Sequence, residues 1–189
     1  MQKLLISFII MATCTVFGQR QETYQLDIEN SIANWKGSYA LQFSEHQGTV
    51  NFKRGELLTD NGAIIGGYFV IDMTSITNPD HLNGVGPVEH LKNEDFFDVE
   101  KFPTAHLTIT SVEYWEENNL HKMIGDLTIK GQTHPVTFYA EADGTTRTLS
   151  TKLKVDRTQW GITYNNKLKD HAISDIFEVY ITLQFHPIL

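Results

Sequence analysis

The sequence predicts an all-β fold built from many short strands, an up-and-down barrel or a sandwich, and three observations carry that prediction. Apolar and polar residues alternate with period two along most of the chain, the pattern of strands with one buried face. The segments between these runs hold turn residues, with Asn61-Gly62, Lys130-Gly131 and Asp143-Gly144 the clearest. Helical periodicity is confined to one stretch, His81 to Pro103.

Taken in order, the chain opens with Lys3 and an apolar run from Leu4 to Ala12 that fades by Gly18-Gln19. This is signal-peptide grammar, too short and too interrupted by Ser7, Thr13 and Thr15 to span a bilayer. Val16 and Gly18 are small enough for the −3 and −1 positions of a peptidase site, so residues 1–18 read as a leader and 19–189 as one exported domain. Cys14, as the acylated cysteine of a lipoprotein, fits poorly because Thr13 precedes it. The expected location is periplasmic or secreted.

Strands follow at Tyr24 to Ile28, Trp35 to Phe43 and Thr49 to Phe52. Between Ile65 and Met73 the apolar set is Ile65, Gly67, Phe69, Ile71 and Met73. Further strands are centred on Leu107, Leu127, Phe138, Leu153 and Ile181, each keeping its apolar residues on one side. The total is roughly eight or nine strands. The long connection around 81–100 holds Glu89 to Phe97, with capacity for a short helix and a helical turn; a connection of that length usually caps something.

Composition removes several function classes. A net charge of −8, or −9 once Lys3 leaves with the leader, repels phosphate backbones and anionic head groups, so neither nucleic acid nor charge-driven membrane binding is expected. Beyond the leader no cysteine remains, which excludes disulfides and thiolate ligands. The eight histidines show neither HxH nor HExxH spacing, and no metal or cofactor is expected. No serine lies in a GxSxG turn, and the pairs Glu94-Asp95 and Glu116-Glu117 read as solvated neighbours, so no catalytic residue is assigned.

What remains is the apolar inner face: Trp35, Tyr39, Leu41, Phe43, Phe69, Ile71, Leu107, Ile109, Leu127, Ile129, Phe138, Leu153, Val179, Ile181 and Leu183. An eight-stranded barrel is just wide enough either to be filled by such side chains or to enclose one slender ligand, and periodicity does not separate the two. Phe96 and Phe97, ahead of Phe102-Pro103, either reach a barrel mouth or form a plug without ligand contact. Trp160, beside Arg157, either closes the opposite end or anchors a strand end.

Several blocks resemble the YceI-like family: Asp72 to Ile76, Leu91 to Ala105, Gly125 to Phe138, Asp156 to Gly161, and Trp35-Lys36-Gly37. Their order and spacing match it over nearly the whole mature chain. The resemblance implies an exported, eight-stranded antiparallel, lipocalin-like barrel with a small helical element, whose pore holds a polyisoprenoid or other long lipid. It brings no catalytic residues. Residues 164–171 look shorter than the glycine-rich loop common in relatives.

The expected pore lining is therefore the inner-face set to Ile181, with Phe96, Phe97 and Trp160 added. Polar residues such as Lys92, Asp95 or Asp170 are candidates for meeting a head group. The expected partner is a long-chain isoprenoid or other lipid, without stable membrane insertion; a homodimer is admitted. Two other functions stay open, a barrel enzyme acting on an apolar substrate and an exported structural or interaction protein with a filled core.

Overall fold

The computed structural model describes residues 20–39, 45–79, 87–163 and 173–188. The sequence's alternation becomes nine strands: β1 (Gln21–Leu26), β2 (Ile32–Tyr39), β3 (Glu45–Asp60), β4 (Ala63–Asp72), β5 (Thr104–Trp115), β6 (Leu120–Ile129), β7 (Gln132–Asp143), β8 (Thr148–Asp156) and β9 (Ile173–Pro187). Among the described residues one α-helix, α1 (Pro87–Lys92), lies between β4 and β5. This is the short helix expected around 81–100, and hydrogen-bonded turns carry the chain on from Asn93 through Phe97; residues 81–86 lie outside the described residues.

All pairings are antiparallel, and the contact of β3 with β4 closes the sheet. The result is a closed eight-stranded barrel, because β1 and β2 share one position. Both lie between β3 and β9: β1 pairs with Glu56 to Asp60 and Phe185 to Pro187, and β2 pairs with Glu45 to Val50 and Ile173 to Thr182. The break between them is held by the Asp27 carboxylate, which accepts from the Glu29 and Asn30 backbone, the Asn30 amide and His186.

Tight turns set the register. Asn61 and Gly62 have φ of 50° and 84°, and Lys130 and Gly131 have 49° and 74°. Positive φ at both central residues is what a two-residue hairpin needs to match strand twist.

Three bulges move the inward face by one residue. β3 shifts between Phe52 and Arg54, its partnering with β4 shifts between Leu58 and Thr59, and β5 against β6 shifts between Ile109 and Ser111. Ile65 is the correction that follows. It was placed on the inner face with Phe69, but the shift leaves it exposed and turns Ile64 toward the core.

Strand direction assigns the ends. β2, β4, β6 and β8 finish at one end, called upper here, so the β4–β5 and β8–β9 connections both lie there. At the lower end Leu26, Leu57, Met123, Ala140 and Phe185 are buried together.

A close approach braces the β2–β3 wall. The Trp35 indole donates to the Thr77 carbonyl at 3.0 Å. A Cβ on Gly48 would stand 1.7 Å from that same oxygen, so a side chain there must displace backbone. Gly48→Ala is expected to cost about 3 kcal/mol, read as a lower urea midpoint with unchanged slope.

Candidate functional site

Inside the upper and middle barrel the inward side chains do not meet. They surround a cavity of about 220 Å³. One water needs roughly 10–15 Å³ on this measure, so the space far exceeds the packing defects of an ordinary core. Phe52, Phe69 and Phe185 form an edge-to-face series, 6.5 Å and 6.3 Å between centroids, that leads from the cavity to the packed lower end.

Most of the anticipated lining residues are brought together here. Trp35, Tyr39, Phe69, Ile71, Leu107, Ile109, Leu127, Ile129, Phe138, Leu153, Val179 and Ile181 all face the cavity, as does Leu183. Phe96 and Phe97 also border it, packed edge-to-face at 5.0 Å, with Phe97 6.1 Å from Phe177 in the same manner. They arrive from above because α1 and its turn cross the upper end; the Lys130 ammonium pins that turn by donating to the Glu94 carbonyl at 2.7 Å. Leu41, Phe43 and Asp170 lie outside the described residues, and Lys92 and Asp95 are not part of the lining.

Trp160 takes the second of the two uses foreseen, an anchor at a strand end, and not the first. It sits at the same end as Phe96, not the opposite one, and it does not line the main cavity. β7 and β8 pair only from Ala140–Thr151 to Asp143–Thr148, and above that they part. The 3-10 turn Arg157–Trp160 fills the wedge. The Trp160 indole donates to the Leu127 carbonyl at 3.1 Å and meets His134 edge-on at 5.2 Å, so this ring serves as an anchor in the wall.

Lining residues outside the expected set include Phe52, Met73, Ile76, Leu91, Leu149 and Phe177. Phe52 and Phe177 were already inside predicted strands and could have been found by continuing the alternation. Ile76 and Leu91 belong to connections, where period two gives no signal.

Polar side chains on the lining are few: Ser38, Tyr39, His46, Thr151, Arg157 and Ser174. Thr151 donates to the Tyr139 carbonyl at 2.7 Å, and Ser174 donates to the Ile176 carbonyl at 2.9 Å. Arg157, 1% exposed, donates to the carbonyls of Ser174 and Ile162 and to the Asp175 carboxylate at 3.2, 2.7 and 3.1 Å. Among the described residues no cluster of three or more His, Asp or Glu side chains could hold a metal.

One titrating group lies on the inward face below the cavity. His121 has a buried Nδ1 without a hydrogen-bond partner and packs 4.7 Å from the Tyr114 ring. Burial pushes its pKa below the ordinary value, partly opposed by a hydrogen bond with the Ala140 backbone. The folded state then binds fewer protons than the unfolded chain. Stability from this group is complete above the ordinary histidine range near pH 6.5 and falls as pH drops through it toward the depressed folded value. His121→Phe should flatten the decline in melting temperature between about pH 7.5 and 5. Asp143, lowered mainly by the backbone N–H groups of Thr146 and Thr145, contributes only in the more acidic carboxylate range.

Comparison with known proteins agrees with this architecture. A family model described as the YceI-like domain matches residues 24–185. A UPF0312 protein of Vibrio vulnificus strain YJ016 is 32% identical over 132 residues, 68% of this chain and 67% of that protein. A UPF0312 protein of Pseudomonas putida strain W619 is 30% identical over 123 residues, 64% of this chain and 62% of that one. A relative from Photorhabdus laumondii is 41% identical over 56 residues, 30% of this chain, and the matched stretch spans 28% of its length. Among solved structures, Burkholderia cenocepacia BcnA superposes with a TM-score of 0.70 at 18% identity, covering 84% of this chain and 98% of that one. A Campylobacter jejuni YceI protein gives 0.56 at 22%, covering 79% and 88%. At these identities the structural likeness establishes the fold.

Proposed function

The chain belongs to the YceI-like family, and on that premise we propose that it is an exported binding protein that holds a long apolar lipid, an isoprenoid or similar amphiphile, in its barrel for storage or transport. The single observation that supports this most is a cavity of about 220 Å³ walled mainly by Leu, Ile, Val and Phe. Such a space is costly to leave to water and favourable to fill with hydrocarbon.

Each methylene moved from water into it is worth roughly 0.8 kcal/mol, so a few isoprene units outweigh the several kcal/mol that association costs. Selection follows length and girth. No bond is made or broken in this reading: the Thr151, Ser174 and Arg157 side chains on the lining are engaged with the protein itself. Export is supported by Lys3 and the apolar run from Leu4 to Ala12.

Titration of the delipidated protein with a C20 isoprenoid tests the reading. Trp35 borders the cavity, so its fluorescence should change and saturate at one lipid per chain. A linear, unsaturable signal would mean partition onto the surface and would contradict internal binding.

A further inference from the structure

We propose that the hydroxyl–imidazole pair Tyr39–His46 seats the ligand's polar head, and that this head is an uncharged oxygen function, an alcohol or a ketone. The inference rests on the lipid-binding reading above and adds the orientation and head-group chemistry of the ligand.

Position comes first. Tyr39 ends β2 and His46 begins β3, so both belong to the upper end. Ser38, Arg157 and Ser174 lie at that end too, since β8 finishes and β9 starts there. Thr151 is the exception farther down, and its hydroxyl proton is committed to the Tyr139 carbonyl. The lower half of the cavity thus offers hydrocarbon apart from this one hydroxyl, whose proton is already given, and an amphiphile fits with its tail down and its head beside β2 and β3.

Capacity comes next. Tyr39 Oη and His46 Nε2 are 3.2 Å apart, with the rings edge-on at 5.5 Å. A phenol has one proton to give and two lone pairs to accept with. If it gives its proton to the imidazole, it can still accept from a ligand hydroxyl. If the imidazole donates instead, the phenol proton is available for a ligand carbonyl. In either arrangement the phenol keeps one hydrogen-bonding capacity for a neutral head, a lone pair in the first and its proton in the second.

Charge decides between neutral and phosphate heads. The cation on the described lining is Arg157, and its donors are directed to Ser174, Ile162 and the Asp175 carboxylate. A phosphate placed beside Tyr39 would give up part of its hydration without a guanidinium or ammonium directed at it from the described lining, and an anion that loses water without gaining such a partner is disfavoured.

The test compares three C20 probes on the delipidated full chain by displacement of a fluorescent polyene: geranylgeraniol, the hydrocarbon of equal length, and geranylgeranyl phosphate. Wild type should hold the alcohol about fivefold more tightly than the hydrocarbon, the worth of one net hydrogen bond, and should hold the phosphate less tightly than the alcohol. Tyr39→Phe, and Tyr39→Phe combined with His46→Phe, should each bring alcohol and hydrocarbon to within about twofold of one another, the ratio of the two affinities within each variant being the readout. An alcohol preference that survives in both variants, equal binding of alcohol and hydrocarbon by wild type, or tighter binding of the phosphate would each overturn the head-group seat and leave lipid binding intact. Failure of all three probes to bind wild type would overturn the lipid-binding reading as well.

Discussion

Phe138→Asp is expected to abolish lipid loading in a barrel that still folds. Phe138 projects from β7 into the cavity, is 5% exposed, and borders the apolar space where a lipid tail would lie. A carboxylate there keeps its charge only by drawing water in, and it must lose that water again when hydrocarbon enters; the penalty is several kcal/mol. Affinity should fall by at least about a hundredfold, the equivalent of roughly 3 kcal/mol. Leu153→Trp reaches the same end without charge, by growing a ring into the cavity from β8. Circular dichroism confirms folding, and the polyene titration reads the loss. Full-strength loading by both folded variants would place the lipid elsewhere.

Arg157→Met should be the most destabilising single change at the upper end. The guanidinium is 1% exposed and gathers the β8 exit, the Ile162 carbonyl and the start of β9 through three differently directed donors. Its loss leaves buried carbonyls without donors, at a cost of about 3 kcal/mol and a melting temperature lower by roughly 10 °C. Arg157→Lys should recover little, because one ammonium cannot reproduce a planar fork. Asp175→Asn is the contrast: that carboxylate side chain is 64% exposed, so removing its charge should cost under about 1 kcal/mol. A reversed order of these two effects would show that the ion pair, not the backbone bonds, holds this corner.

Much of this fold was readable from alternation and turn chemistry. Asn61-Gly62 and Lys130-Gly131 announced their hairpins because few residue pairs accept two successive positive φ values. The strands around Leu107, Leu127, Phe138 and Ile181 kept a strict period and so declared their inner faces. Ile65 did not, because a bulge inserts one residue and reverses every face beyond it, and nothing in local composition marks that insertion.

Trp160 shows a different limit. Its connection follows β8 as that of Phe96 follows β4, so counting strand reversals places both at one end; its burial in the β7–β8 wedge depends on pairing that only three dimensions reveal. The cavity itself was illegible in principle, since inward apolar residues read alike whether they interlock or stand apart. Tyr39 was legible as an inner-face residue, but its partnership with His46 across β2 and β3 was not.

The most direct measurement is the lipid content of the protein as purified from its native host without detergent, by organic extraction and mass spectrometry against protein concentration. The account predicts one long-chain species or homologous series approaching one molecule per chain, depleted in Phe138→Asp. An extract with no stoichiometric lipid, from protein that also takes up none when mixed with vesicles of the host's lipids, would contradict it.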